Sequence, residues 1–253
     1  MRHRELFLAV WWAASVFAVV MVRRAAGAVL RRLAAVERTP TSAIAEAPRE
    51  GTVEIIGRVV RSERGLVQST VTARPAVYAR TLVERVNGSS RETVLDDLAT
   101  HPFLVDDGSG ATAWVEIDER AHIEVEPSKL AGDDDESTRI SALLVAHDIM
   151  DSPKKLVWQE WVIEEGANLY VLGDASSMSA GPAQTQYRDA PAQRLRISPP
   201  PRLSGREMIV STYGERELVV RLKSQQIMLR FASVIILLTA LGATLFLAMG
   251  TSH

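Results

Sequence analysis

The chain begins and ends in apolar runs, with short alternating segments between them. Residues 6–22 (LFLAVWWAASVFAVVMV) are 17 uncharged positions, and residues 231–250 (FASVIILLTALGATLFLAMG) are 20. A hydrocarbon core about 30 Å thick takes about 20 apolar residues of helix, with a lower limit near 17, so both runs predict transmembrane helices. The 20-residue run has no polar face to turn to water, which argues against a buried helix of a soluble domain. For the first run a cleavable signal peptide competes, because Ala26-Gly27-Ala28 supplies small residues after an apolar stretch. Against it stand Arg23 and Arg24, where such a signal is uncharged. Helical spacing continues past both runs. Leu30, Leu33, Ala34 and Val36 fall toward one face, predicting one helix over residues 5–38 that stops where Pro40 disfavours helix at Thr39. In residues 214–230, Leu218, Val219, Leu222 and Ile227 repeat at the same spacing and enter the second run without a breaker.

Over residues 40–213 the period changes. Residues 52–61, 76–86, 111–117, 156–163 and 169–172 are short runs rich in β-branched and aromatic side chains, and they predict strands. Asn87-Gly88, Asp107-Gly108 with Gly110, Glu165-Gly166 and Gly173-Asp174 are turn signals beside them. Residues 137–150 favour a helix capped by Ser137, with a further strand as the alternative. Residues 176–201, rich in Ser, Ala, Gln and Pro, read as a long loop holding a short strand at 195–198. The expected fold is a membrane protein in which two terminal transmembrane helices flank one mainly β domain, a small antiparallel barrel or sandwich.

Charge refines that picture. Five arginines (23, 24, 31, 32 and 38) follow the first run while Arg2 and Arg4 precede it. Arg216, Arg221, Lys223 and Arg230 precede the second run, and only Thr251, Ser252 and His253 follow. Both asymmetries place the β domain on the cytoplasmic side of a prokaryote-like cell inner membrane, with two spans. Residues 25–38 and 215–229 should then emerge side by side as an antiparallel pair, with Leu30 and Leu33 opposing Leu218 and Leu222. A net charge of −2 supplies no basic field for nucleic acid, and no basic strand face with interleaved aromatics is present, so no nucleic-acid partner is expected. The 253 residues contain no cysteine, which excludes disulfides, thiol nucleophiles and Cys-based zinc sites within them.

Candidate chemistry is sparse. The five histidines (3, 101, 122, 147 and 253) include no pair at i,i+3 or i,i+4 spacing for a metal. His147-Asp148 with Ser141 or Ser152 is the nearest approach to a triad, without a nucleophile elbow. Asp106-Asp107 reads as hairpin chemistry, not as an acid–base pair. The run Asp133-Asp134-Asp135-Glu136 lacks the alternating ligand spacing of a calcium loop. Trp114, Trp158 and Trp161 read as core aromatics. No phosphate-binding glycine loop is present. No catalytic, cofactor-binding or metal-ligating residue is assigned, and no cofactor is expected.

Five segments in order carry a resemblance: Gly51-Thr-Val-Glu-Ile-Ile-Gly57, Ala73-Arg-Pro-Ala-Val-Tyr-Ala-Arg80, His101-Pro-Phe-Leu-Val-Asp-Asp-Gly108, Trp161-Val-Ile-Glu-Glu-Gly166, and Leu169-Tyr-Val-Leu-Gly173. With residues 209–217 before the second run, they resemble the GIDE family, also called the beside-a-membrane (BAM) domain. The resemblance is to the MULAN/MAPL-type mitochondrial ubiquitin ligases and implies a domain held between two membrane helices. In those relatives a RING follows the second helix and the domain faces the intermembrane space. The cysteine-free sequence matches no RING, so the expectation is a GIDE-like module whose ubiquitin-ligase label is not supported by its own residues. Its expected role is non-catalytic binding or scaffolding at the membrane surface, with the lipid bilayer and a protein or peptide as partners; the partner's identity and the oligomeric state stay open. A hydrolase or transferase with an unrecognised site is the alternative.

Overall fold

A computed structural model describes residues 2–128, 134–149, 156–179 and 193–249. The expected acidic run begins outside these residues, at Asp133, and Ser152, His253 and residues 180–192 of the expected 176–201 loop also lie outside them. Two units make up the chain, one of residues 39–215 and one of residues 1–38 with 216–253.

The first unit is built on a closed five-stranded barrel. Strand β1 (Gly51–Val60) pairs on one edge with β5 (Phe103–Asp106) and on the other with β9 (Asn168–Ser179). From β5 the order runs through β6 (Thr112–Val115) and β10 (Gln193–Ser198) back to β9. All these pairs are antiparallel except β6–β10, which is parallel, as at least one pair must be in a closed ring of five strands. Val53, Ile55 and Val59 of β1, Phe103 and Val105 of β5, and Leu169 and Val171 of β9 alternate into the interior, each no more than 1% exposed. Beyond β10, β9 also carries β11 (Ile209–Ser211), which pairs in parallel with β7 (His122–Glu124).

Gly173-Asp174 is not a turn. Both residues sit inside β9, opposite Val53 and Thr52 of β1. A Cβ on Gly173 would stand 2.7 Å from Ile197 Cγ2, and one on Gly57 2.7 Å from the Asp106 carbonyl oxygen. Glycine at these positions serves the close approach of neighbouring strands in a narrow barrel. Residues 176–179, expected in a loop, continue β9 and pair with β10.

A second sheet centres on β3 (Pro75–Asn87), flanked by β4 (Ser90–Thr100), β8 (Leu156–Glu164) and the short β2 (Val67–Gln68). Gly88, with φ 61, takes the first central position of the β3–β4 turn, the place glycine holds in a type II′ hairpin. On one face of this sheet, helix α2 (Asp134–Ala146) lays Ile140 and Leu144 against Val71 and Val83, with Trp158 beside them. Arg139 donates to the Val71 carbonyl at 2.7 Å. Beneath, the fully buried Glu160 accepts from the backbone N–H groups of Val71 and Thr72 and from both threonine hydroxyls, Thr72 and Thr81, so both of its side-chain oxygens have partners.

The segment before β1 is strapped to the barrel by polar contacts. Ser42 N–H donates to the Glu54 carbonyl at 2.9 Å, Thr41 and Tyr170 hydroxyls donate to the Glu54 carboxylate, and Ile44 N–H donates to Asp107 at 2.7 Å.

The second unit consists of α1 (Arg2–Arg38) and α3 (Glu215–Met249), each continuous through its apolar run. Within them, Val10–Arg38 and Glu215–Thr244 are long and apolar enough to cross a membrane. Their outward positions are apolar: Phe17, Val20 and Met21 on α1, and Phe231, Ile235 and Leu238 on α3, are all exposed, a surface suited to hydrocarbon and costly in water. The helices run antiparallel, joined by Trp12 Nε1 donating to Thr244 Oγ1 at 3.1 Å and by Lys223 to Glu37 at 2.9 Å. Ser15 and Ala240 are buried, the small-residue pattern of packed membrane helices. Leu33, Leu218 and Leu222 are buried as expected, whereas Leu30 turns outward at 42% exposure.

Candidate functional site

The second sheet has one face under α2, and the other borders a cleft. Strand alternation decides which residues reach it. Thr81 and Val83 of β3 are buried toward Glu160 and α2, whereas Tyr78 and Arg80 lie on the opposite face, beside Asp96 and Leu98 of β4. The facing wall is the β6–β7 connection, with Asp118, Glu119 and Ala121, followed by Ile123 of β7. This cleft holds about 210 Å³ and opens into a shallower one of about 590 Å³ lined by Thr100, Ile117, Arg120 and Arg202; the two share Leu98, Asp118 and Glu119.

Arg80 grips Asp96 in a two-bond fork, Nε to Oδ1 at 2.7 Å and a terminal nitrogen to Oδ2 at 2.6 Å. The hydrogen bond from Arg80 holds the Asp96 carboxyl below the usual carboxylate range. Opposite, partial burial works to raise the Asp118 carboxyl, but hydrogen bonds from the Arg120 side chain and backbone outweigh it and hold it low. Arg120 also donates to the Pro200 carbonyl at 3.1 Å, tying this wall to the β10–β11 connection. Burial pushes the Tyr78 phenol up, so it stays neutral. The cleft therefore presents ionised, neutralised carboxylates beside an apolar strip of Tyr78, Leu98, Ala121 and Ile123. Held low in this way, neither Asp96 nor Asp118 is set up to act as a general acid near neutral pH.

The residues weighed for catalysis are dispersed. His147 Nε2 stands 4.0 Å from Asp97, across from α2, and not against its neighbour Asp148. Ser141 spends its hydroxyl on the Ser137 carbonyl within α2. Asp107 accepts from Ile44 N–H and from the Ser109 backbone and hydroxyl, a structural clamp. Trp158 packs in the α2 cluster, Trp161 against the barrel core, and Trp114 donates to Glu116, so the three form no common platform. Among the described residues no group of three or more His, Asp or Glu side chains is placed to hold a metal.

Sequence reasoning missed the cleft because it missed β4. SRETVLDDLAT has an indistinct period, and its charges disguise an edge strand. One signal was present: a two-residue hairpin loop after a 13-residue strand requires an antiparallel partner of similar length. Arg80 appeared only within the resembling segments.

Neither a curated protein nor a solved structure matches this chain. A family model does: GIDE, described as E3 ubiquitin ligase, matches residues 79–245, more than half of the chain, from within β3 through the cleft and most of α3. The chain belongs to the GIDE family.

Proposed function

We propose that this GIDE-family protein is a membrane-anchored, non-catalytic docking module, whose β domain stands on the cytoplasmic side of the cell inner membrane and receives a protein or peptide partner in the Arg80–Asp96 cleft. The observation that carries the reading is the cleft's make-up: a two-bond Arg80–Asp96 pair and the Asp118–Arg120 pair on either side of an apolar strip. Such a surface offers apolar contact with charged edges already neutralised, so a partner need not bring a compensating charge. The arginines that follow the first apolar run and precede the second support the orientation.

The family description favours a second reading, participation in ubiquitin transfer. The 253 residues hold no cysteine for a zinc-bound RING or a thioester, so within this stretch the contribution to that reaction would be presentation of a substrate or ligase and not the transfer itself.

Purification of the whole protein in mild detergent should recover a specific partner that Leu98→Arg, which fills the cleft, releases while the melting temperature holds. Turnover by the partner-free protein, in hydrolytic or ubiquitin-transfer assays, would overturn the docking reading. For orientation, a reporter active only in the cytoplasm should work when inserted at Ser204-Gly205, a turn next to the fully exposed Leu203, and be silent when fused after His253. The reverse pattern would place the domain on the other side.

A further inference from the structure

The antiparallel register of α1 and α3 sets their charged boundaries at different depths. Trp12 lies across from Thr244 and Glu37 across from Lys223, so counting along the pair brings Arg24 level with residues 232–236 and Arg31 level with residues 225–229. The uncharged run of α3 starts at residue 231. Arg24 therefore sits one to five residues beyond the point where α3 becomes fully apolar, about 1.5–7.5 Å deeper at 1.5 Å per residue.

An arginine at that depth needs a counter-anion, because moving it toward hydrocarbon unpaired is costly. The two helices provide none. Residues 6–36 of α1 and 218–249 of α3 contain no Asp or Glu, and the nearest acids are spoken for: Glu37 by Lys223 and Glu217 by Arg221. Arg24 and Arg31 are exposed and make no hydrogen bond or ion pair with any described residue. Seven residues apart, they fall about 20° from each other around the helix, on one stripe. Between them lies Gly27, and the Arg31 guanidinium leans back over it, 3.7 Å from where a Gly27 Cβ would be. That lean follows the tilt of helical side chains toward the N-terminus, here toward Arg24 and the membrane. The Arg31 guanidinium thus lies over the side-chain-free stretch of helix at Gly27, on the stripe that also carries Arg24.

We propose that Arg24 and Arg31 with Gly27 form a binding site for the phosphate of an anionic phospholipid in the leaflet on the β-domain side. Two guanidinium forks can grip one phosphate from both sides, and the missing Gly27 side chain lets the headgroup seat against the helix. The lipid neutralises Arg24 at a depth where no protein carboxylate reaches. This site is independent of the cleft and of what docks there.

The test is lipid retention by the whole protein, purified into detergent containing equal phosphatidylglycerol and phosphatidylcholine of identical chains and read by native mass spectrometry. At about 1 kcal/mol each, an arginine that touches the lipid phosphate gives roughly fivefold, so with Arg24 and Arg31 both engaged the wild type should retain phosphatidylglycerol over phosphatidylcholine by about tenfold or more. Arg24→Gln and Arg31→Gln should each cut that preference about fivefold. Gly27→Leu keeps both charges and strengthens the helix, and it should cut the preference as well by covering that stretch of helix. Arg38→Gln, on the same stripe but farther from the apolar run, should leave it nearly unchanged. Equal retention of the two lipids, or equal losses for Arg38→Gln and Arg24→Gln, would overturn the site in favour of a diffuse basic field. Release of the lipid by millimolar inorganic phosphate would overturn it in favour of a soluble anion.

Discussion

Asp107 shows how one carboxylate serves two neighbourhoods. It sits in the β5–β6 turn, where Asp is favoured for local bonding, yet Oδ2 reaches Ile44 N–H, 63 residues earlier, while Oδ1 takes the Ser109 donors. Burial alone would raise this carboxyl, but the hydrogen bonds from the Ser109 hydroxyl and the backbone hold it below its usual value. Asp107→Asn suits the turn but turns an amide N–H toward one donor set. It should cost about 1 kcal/mol or more in thermal or chemical denaturation, not be neutral as turn chemistry alone implies. Glu54 behaves oppositely. Burial raises its carboxyl despite hydrogen bonds from Thr41 and Tyr170, and the nearby Glu215 charge adds to the rise. A carboxyl raised on folding contributes stability that is present below the unfolded value of 4.5 and lost as pH climbs through the folded value. The melting temperature of Glu54→Gln relative to wild type should therefore rise between pH 4 and pH 7; a flat difference would show that Glu54 titrates alike in both states.

Strand packing turns on absent side chains. Gly57 faces the backbone oxygen of Asp106, which cannot rotate away, whereas Gly173 faces mainly the movable Ile197 side chain. Overpacking of this kind costs about 1–3 kcal/mol, so Gly57→Ala should destabilise the barrel more than Gly173→Ala. Gly214→Ala, with open space around it, should be close to neutral in the same denaturation series. Five strand segments were legible because β-branched and aromatic residues mark strands buried on at least one face. The edge strand β4, the three-residue β7 and β11, and the extension of β9 through Ser179 were not, since pairing and not local composition holds them extended.

At the scale of the molecule, the helix pair supplies the membrane segment and the barrel supplies the surface. Leu33 and Leu222 are both buried, and the register set by the two side-chain bridges brings them to within about a turn of each other. Cysteines placed there in an otherwise cysteine-free chain should be joined within one molecule by a short bifunctional reagent. No crosslink in folded, membrane-inserted protein would mean that the helices part near the β domain. Leu30→Cys is the contrast: its side chain turns outward, so its yield with Leu222→Cys should be several-fold lower.

Sequence alone determined the two apolar helices, the change from helical to strand period near Pro40, and most of the hairpin turns, because each depends on residues close in the chain: a run of apolar side chains, a proline, a glycine with positive φ. Tertiary structure decided how the strands close. That β1 pairs with β9, that β10 lies parallel to β6, and that Arg80 meets Asp96 across a hairpin beside Asp118 are contacts between residues up to more than a hundred positions apart. Such contacts follow from filling one interior while every buried polar group finds a partner, and no local pattern encodes that solution.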